Sequence, residues 1–153
     1  MNIIDDNIFN CTENIIVHQT NCQGVMGHGI ALQIKNKYPE VFNAYYHYCK
    51  TSIPTEILGT TLICQANDNK YIANLFGQLN YGEGLQTDYD KFEKALKEVY
   101  NFAKQNNLSV AIPYKIGCGL ANGDWNIVSK IIEEIFKDDV KLTIYRLEKN
   151  EKY

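Results

Sequence analysis

The segment from His18 to Glu40, which reads HQTNCQGVMGHGIALQIKNKYPE, contains side chains that could carry out chemistry. Five of its residues could be a metal ligand, a thiol nucleophile or a general base: His18, Cys22, His28 and, more weakly, Gln19 and Gln23. The same segment contains three glycines and changes from a strand-like to a helix-like pattern. It is therefore compatible with a catalytic cluster, a metal site or a loop shaped to hold a ligand.

The size and composition of the chain are typical of one globular domain, which we place at residues 1–153. Hydrophobic residues make up 45% of the chain and charged residues 22%, as in soluble proteins. The net charge of −3 argues against a basic nucleic-acid-binding face as the main feature. The sequence has no long apolar run and no leader-like start, so we expect a cytoplasmic protein without membrane contact.

The cysteines do not form the pattern of a disulfide framework or of a zinc site. They stand at positions 11, 22, 49, 64 and 118, and no two of them form a Cys-x-x-Cys pair. We therefore expect no metal, and we expect most of these cysteines to be small buried apolar residues. His18 lies within an apolar strand pattern and is expected to be a buried histidine whose polar atoms are satisfied.

The order of the predicted elements indicates an α/β domain. Strands are predicted at 14–20, 60–66, 70–76, 109–113 and 140–147. Helices are predicted at 29–37, 40–50, 89–106 and 124–136. Strands that alternate with helices of this length predict a layered fold whose central sheet is largely parallel or mixed.

Two glycine-rich loops come directly after predicted strands and lead into predicted helices. The first is 21–29, NCQGVMGHG, and the second is 114–124, YKIGCGLANGD. Ligands of open α/β sheets bind beyond the carboxyl ends of the strands, so both loops are expected at the binding edge. Because glycines let backbone N–H groups converge and a helix N-terminus favours negative charge, such loops suit phosphates.

Neither loop matches a phosphate-binding fingerprint. The P-loop pattern is absent, and the spacing of Gly24, Gly27 and Gly29 differs from the dinucleotide pattern G-x-G-x-x-G. Loops that cradle phosphates without a catalytic lysine favour a ligand that already contains a diphosphate, such as a nucleotide sugar. The glycines could equally serve turn geometry alone, so the loops by themselves leave both interpretations open.

Four stretches of the sequence together resemble a macrodomain. They are HQTNCQGVMGHGIALQIKNKYPE, IANLFGQ, TDY and IPYKIGCGLANGDWNIVSKIIEEIF, and the resemblance extends from about residue 2 to residue 147. The chain is similar to the branch of ADP-ribose 1″-phosphate phosphatase-like proteins and terminal ADP-ribose–protein glycohydrolase-like macrodomains. The resemblance implies a three-layer α/β/α fold with a mixed central sheet, and ADP-ribose bound across the strand ends.

The resemblance also implies which residues contact ADP-ribose. Asn21 would hold the distal ribose, and Asn7 with Ile8 would face the adenine. The family's aspartate at this position is Asn7 here, and Asp6 would replace it if the register differs by one. The first loop would line the phosphates through Gly27, His28, Gly29 and Ile30. The second loop would surround the diphosphate with the backbone N–H groups of Gly117, Cys118, Gly119 and Leu120.

Two reactions are compatible with this branch of the family. One removes ADP-ribose from a carboxylate or a nucleobase and, in glycohydrolase-like members, uses a lysine after the IANLF strand and an aspartate after Gly-Cys-Gly-Leu. This chain has no lysine between Lys70 and Lys91, and Ala121 stands at the aspartate position. The other reaction hydrolyses the 1″-phosphate of ADP-ribose, and its candidate catalytic residues here are His28 and Asp124.

Each of these candidates has a structural alternative. Asp124 is placed to be the N-cap of the helix that follows it, and His28 could be a solvent-facing loop histidine. Cys22 and Cys118 flank the two loops, where a nucleophilic thiol would need a base or a positive field. We expect these two cysteines to pack as small residues instead.

The expected function is to bind ADP-ribose and to hydrolyse ADP-ribose 1″-phosphate to ADP-ribose and phosphate. A mono-ADP-ribosyl hydrolase that acts on modified protein or nucleic acid is the second hypothesis. A non-catalytic ADP-ribose-binding module is the third, and an α/β domain whose glycine loops are turns only is the fourth. We expect a monomer that needs no cofactor and has ADP-ribose or a derivative as its partner.

Overall fold

The computed structural model describes residues 1–147, and these residues form six β-strands and five α-helices. The strands are β1 (Asn2–Asp5), β2 (Ile15–Thr20), β3 (Thr61–Gln65), β4 (Tyr71–Phe76), β5 (Val110–Pro113) and β6 (Leu142–Arg146). The helices are α1 (Gly29–Lys37), α2 (Pro39–Lys50), α3 (Pro54–Ile57), α4 (Tyr89–Asn106) and α5 (Trp125–Ile135). One turn of 3-10 helix covers Ile8–Asn10.

Every strand and helix predicted from the sequence is present, and only their ends differ. The prediction missed β1, the 3-10 turn and α3. All four residues of β1 are exposed, so this strand has none of the apolar alternation that marks a half-buried strand. The helix α3 has four residues, which is too short for a helical period to be visible.

The strands form one mixed sheet, as predicted. Their order is β1-β6-β5-β2-β4-β3. The hairpin partners β3 and β4 are antiparallel, whereas each of the other neighbouring pairs is parallel. The sheet therefore has a parallel body with a single antiparallel strand at one edge.

Helices cover both faces of this sheet. Successive side chains of β2 point to opposite faces: Ile15 and Val17 enter the core beneath α4 and α5, and Ile16 enters the core beneath α1 and α2. Full burial of one such side chain stabilises the fold by about 2 kcal/mol. The predicted three-layer α/β/α arrangement is confirmed.

The helix ends follow local sequence signals. The carboxylate of Asp88 accepts a hydrogen bond from the Lys91 N–H at 3.1 Å and caps α4, which ends at the left-handed residue Asn107. Pro39 lies in the first turn of α2, where its missing N–H costs no hydrogen bond. None of the helices within residues 1–147 is both long and apolar enough to cross a membrane.

The parallel strands β2, β4 and β5 end at the same edge of the sheet. Three segments of the chain leave this edge. They are the first loop (21–29, after β2), the post-β4 segment (77–88) and the second loop (114–124, after β5). Both glycine-rich loops therefore lie at the edge where α/β sheets bind ligands.

Candidate functional site

The side chain of Asn21 shapes the first loop from inside. Its Oδ1 accepts hydrogen bonds from the Gln23 N–H at 2.9 Å and from the Tyr45 hydroxyl at 3.0 Å. Its Nδ2 donates to the Val25 carbonyl at 2.8 Å. The side chain is buried and engaged by the loop itself, so the contact between Asn21 and a distal ribose stays a prediction.

The outer part of the first loop presents its backbone at the N-terminus of α1. Gly27, His28 and Gly29 are exposed. Gly29 has a φ of +57°, and a side chain there would meet no atom within 4 Å. Within the described chain, no protein acceptor is found for the N–H groups of Gly27, His28, Gly29 and Ile30. These donors can converge on an anion beside the positive end of the helix.

The second loop is a series of tight turns that leaves some of its donors unused. The Cys118 N–H donates to the Lys115 carbonyl at 2.9 Å, and the Asn122 N–H donates to the Gly119 carbonyl at 3.0 Å. The N–H groups of Gly119 and Leu120 find no acceptor among residues 1–147. A turn already uses the Cys118 N–H, whereas those of Gly119 and Leu120 stay available, and the contact of Gly117, Cys118, Gly119 and Leu120 with a diphosphate stays a prediction.

The post-β4 segment runs between the two loops and joins them. At one end the Cys22 N–H donates to the Leu79 carbonyl at 3.1 Å. At the other end the Gln86 N–H donates to the Ala121 carbonyl at 2.9 Å, and the Asn122 side chain donates to the Gly84 carbonyl at 2.8 Å. The three segments thus form one continuous hydrogen-bonded rim.

The residues expected to face the adenine lie in the turn after β1. The Asn7 Oδ1 accepts from the Phe9 N–H at 2.9 Å and caps the 3-10 turn. Asp6 accepts from the Asn7 N–H at 2.7 Å and from the Asn10 side chain at 3.0 Å. The side chain of Ile8 is completely buried, so Ile8 could contact a ligand only through its backbone.

The two catalytic candidates both lie on the exposed rim. Asp124 is the N-cap of α5, and its carboxylate accepts from the Asn126 N–H at 2.9 Å. His28 is exposed and its ring makes no capping hydrogen bond to α1. In the part of the chain that the structure describes, no hydrogen bond or ion pair joins the two side chains. The capping role of Asp124 is confirmed, and the catalytic roles of both residues stay predictions.

Comparison with known families decides the family of the chain. The model of the Macro domain matches residues 17–132, which include all three segments of the rim. The chain belongs to the Macro domain family.

Relatives of this macrodomain carry two kinds of enzyme name. It is 32% identical over 136 residues to the DNA ADP-ribosyl glycohydrolase of Mycobacterium tuberculosis, covering 85% of this chain but 37% of that protein. It is 28% identical over 159 residues to the ADP-ribose 1″-phosphate phosphatase of Debaryomyces hansenii, covering 86% of this chain and 87% of that protein. The macrodomain thus spans little more than a third of the length of the first relative.

A solved structure agrees with the fold. The macrodomain of Mycobacterium tuberculosis DarG superposes with a TM-score of 0.82 at 28% identity, covering 94% of this chain and 95% of that chain. The fold of the chain is therefore that of a macrodomain.

The buried histidine of this macrodomain is neutral at pH 7. The Nε2 of His18 lies 2.7 Å from the Asn74 Oδ1, which makes Nε2 the protonated nitrogen. Burial lowers the pKa of His18 to about 4, although the hydrogen bond with Asn74 acts in the opposite direction. The expected burial is confirmed, but the expectation that all polar atoms are satisfied is wrong, because the Nδ1 of His18 has no partner among the described residues.

The cysteines beside the two loops are unsuited to nucleophilic catalysis. Burial raises the pKa of Cys22 to about 12. Burial, and then the nearby charge of Asp124, raise the pKa of Cys118 to about 11. Both thiols are therefore protonated at neutral pH, in agreement with a packing role. Residues 1–147 contain no group of three His, Cys, Asp or Glu side chains placed to hold a metal ion.

A partly buried hydrogen-bonded group behind the rim was missed by sequence reasoning. The Gln19 Nε2 donates to the Gln78 Oε1 at 2.8 Å and to the Thr87 hydroxyl at 2.9 Å. Thr87 in turn donates to the Gly117 carbonyl at 2.6 Å. The sequence presented Gln19 only as a weak candidate for a metal ligand or general base, and no local pattern relates it to Thr87, which lies 68 positions further along the chain.

Proposed function

We propose that this macrodomain binds ADP-ribose and hydrolyses a derivative of it, with ADP-ribose 1″-phosphate as the leading substrate. The observation that carries the proposal is the pair of glycine loops at one sheet edge, several of whose exposed backbone N–H groups have no acceptor among the described residues. Membership of the Macro domain family and the relative named ADP-ribose 1″-phosphate phosphatase support it.

Backbone donors suit the diphosphate of ADP-ribose. The N–H groups of Gly29 and Ile30 lie at the N-terminus of α1, and those of Gly119 and Leu120 lie on the second loop. A diphosphate is negatively charged throughout the reaction, so it needs several hydrogen-bond donors but no proton transfer. Backbone amide groups can therefore hold it without a lysine. The adenine would lie toward Asn7, and the distal ribose toward the first loop and the post-β4 segment.

Hydrolysis of the 1″-phosphate requires water to attack phosphorus while the bond from phosphorus to the C1″ oxygen breaks. The attacking water loses a proton and the departing oxygen gains one, giving ADP-ribose and phosphate. Asp124 is the candidate that orients or deprotonates the water, and His28 is the candidate that exchanges a proton near the distal ribose. The unused loop N–H groups would stabilise the developing negative charge.

A mono-ADP-ribosyl hydrolase for modified protein or nucleic acid is the second candidate. It is favoured by the 32% identity to a protein named DNA ADP-ribosyl glycohydrolase. The glycohydrolase-like residues are nevertheless missing, since Ala121 is a buried alanine and no lysine lies in the post-β4 segment. The same two absences motivate a non-catalytic ADP-ribose-binding module.

The experiment is a phosphate-release assay with ADP-ribose 1″-phosphate, accompanied by titration calorimetry with ADP-ribose. We expect turnover by the wild type and a loss of roughly 100-fold or more in kcat for Asp124→Asn and His28→Ala. Tight ADP-ribose binding without turnover would favour the binding module, and turnover of an ADP-ribosylated protein or oligonucleotide alone would favour the second candidate. If excess ADP-ribose does not raise the melting temperature, the loops are turns only.

A further inference from the structure

The side chain of Gln19 connects two segments of the rim from beneath. It leaves β2 near the carboxyl edge of the sheet and donates both hydrogens of its amide, one to Gln78 at 2.8 Å and one to Thr87 at 2.9 Å. The Thr87 hydroxyl in turn donates a hydrogen bond to the Gly117 carbonyl at 2.6 Å. We call this chain of hydrogen bonds from Gln19 through Thr87 to Gly117 the Gln19 relay.

The direction of every bond in the relay is determined. The Thr87 hydroxyl has one hydrogen, which it donates to Gly117, so it accepts from Gln19. The Gln78 amide donates to the Asn80 carbonyl at 2.8 Å, so its oxygen is the acceptor that faces Gln19. The orientation of the Gln19 amide therefore follows from its neighbours, with Nε2 toward the two acceptors.

The glycines near the Gln19 amide have no space for a side chain of their own. A Cβ at Gly77 would overlap the Gln19 Oε1, and a Cβ at Gly117 would lie 2.9 Å from the same atom. A Cβ at Gly123 would lie 2.5 Å from the Gly117 carbonyl oxygen. Side chains at these three positions would displace either the amide or the loop, so the second loop sits directly against the relay.

A contribution to the stability of the sheet does not explain why an amide side chain, and not an apolar one, occupies position 19. The Gln19 Oε1 is buried and has no hydrogen-bond partner in the described residues. A buried carbonyl without a donor costs free energy, whereas an apolar residue on β2 would not carry that cost. What the amide provides is a fixed position for the second loop relative to the post-β4 segment.

We propose that Gln19 is a positioning residue for ADP-ribose, which acts through Thr87 to fix the second loop. The Gly117 carbonyl is held from one side by Thr87 and from the other by the Gly123 N–H at 2.9 Å. The unused donors of Gly119 and Leu120 lie between these two anchored glycines. The inference rests on the proposed function, because it concerns the donors that would receive the diphosphate.

The test uses variants that break the relay without changing side-chain size. Thr87→Val removes the hydroxyl, Gln19→Met removes the amide, and Thr87→Ser is the conservative variant that keeps the relay. Thr143→Val is the matched control, because Thr143 is also buried and donates to Glu13 at 3.2 Å from β6, outside the rim. Titration calorimetry gives the Kd for ADP-ribose, and the phosphate-release assay separates KM from kcat.

We expect Thr87→Val and Gln19→Met to raise Kd and KM about tenfold and to change kcat less than about threefold. This is the result expected when a contact is lost that binds the substrate and the transition state equally well. Thr87→Ser keeps the hydroxyl and should have the Kd and KM of the wild type. Thr143→Val should lower the melting temperature without affecting Kd. In the folded relay variants, the Gly123 amide should exchange its hydrogen faster than in the wild type.

Four results would overturn the inference, and the last of them also separates it from the proposed function. Wild-type affinity in both relay variants, or a loss of affinity in Thr143→Val of the same size, would show that Gln19 does not position the loop. Unfolding of both relay variants while Thr143→Val stays folded would show that the relay holds the fold instead. If the wild type itself does not bind ADP-ribose, the proposed function fails. The positioning role is tested separately by the hydrogen-exchange rate of the Gly123 amide, and an unchanged rate in the relay variants would overturn it.

Discussion

The Nε2 of His18 lies 2.7 Å from the Oδ1 of Asn74 across the paired strands β2 and β4, and both residues are completely buried. Asn74 also donates from its Nδ2 to the Leu62 carbonyl on β3 at 3.0 Å. Three adjacent strands are thus linked through one neutral imidazole and one amide. A charged imidazole there would place an uncompensated charge in the apolar interior.

This pairing predicts a pH dependence of stability. The pKa of His18 is about 4 in the folded protein against an ordinary value of 6.5, so the unfolded chain binds more protons between these pH values. Stability is therefore fully present above pH 6.5 and falls as the pH is lowered toward 4. The loss attributable to His18 is about 3 kcal/mol over that range.

Urea unfolding of the wild type and of His18→Gln at pH 7, 5 and 4 measures this effect. The glutamine can still donate to Asn74 but does not titrate, so the stability difference between the two proteins should shrink or reverse as the pH falls. Parallel pH profiles for both proteins would contradict the assignment, because carboxylates that titrate in this range contribute equally to each.

The glycines of the second loop predict two different outcomes for the same substitution. Gly123→Ala places a Cβ 2.5 Å from the Gly117 carbonyl oxygen and should destabilise the protein by about 2 kcal/mol or more. Gly119→Ala meets no atom within 4 Å and should change stability by less than about 0.5 kcal/mol. Its methyl group would instead stand on the exposed side of the loop and weaken ADP-ribose binding. Thermal unfolding and calorimetry check the pair, and equal melting temperatures for the two variants would refute the prediction.

The N-cap at Asp124 predicts a stability effect that is separate from catalysis. Asp124→Ala removes the acceptor of the Asn126 N–H and should cost about 1 kcal/mol, whereas Asp124→Asn keeps an acceptor oxygen and should cost little. Asp88→Ala removes the equivalent cap of α4 and should cost a similar amount in a chemical unfolding experiment. An Asp124→Ala variant as stable as the wild type would mean that the cap does not contribute.

The buried thiols predict slow alkylation in the native state. With a pKa of about 12, Cys22 should react with iodoacetamide at pH 8 about a thousandfold more slowly than an ordinary cysteine, because the thiolate is the reacting form. Cys118, with a pKa of about 11 and partial exposure, should react before Cys22. Mass spectrometry of timed samples identifies the modified residue, and the same protein in guanidinium is the control. Rapid native labelling of Cys22 would contradict its burial.

Local sequence patterns determined most of the fold. The apolar run of β2, the apolar stripe of α4 and the capping residues Asp88 and Asp124 are each visible in a short window of sequence. Their periodicity defines which faces are buried, and their order defines a layered α/β domain. The exposed edge strand β1 was not predicted, because pairing with β6 alone leaves no apolar pattern to detect.

The position of the candidate site was also determined by the sequence, because each glycine loop follows a strand and precedes a helix. The roles of individual side chains within it were not. Asn21 of the first loop is held by Tyr45 of α2, the Cys118 N–H donates within a turn, and Gln19 reaches Thr87 across 68 positions of the chain.

The physical reason is the range of the interactions. Periodicity, caps and glycine turns depend on residues within a few positions of one another, so the sequence by itself determines the elements, their order and the edge at which the loops gather. A hydrogen bond between side chains on different strands depends on sheet register and on which donors are already used. Only the tertiary structure therefore decided that Gln19, Thr87 and Gly117 form one relay, and which loop amides remain available to a ligand.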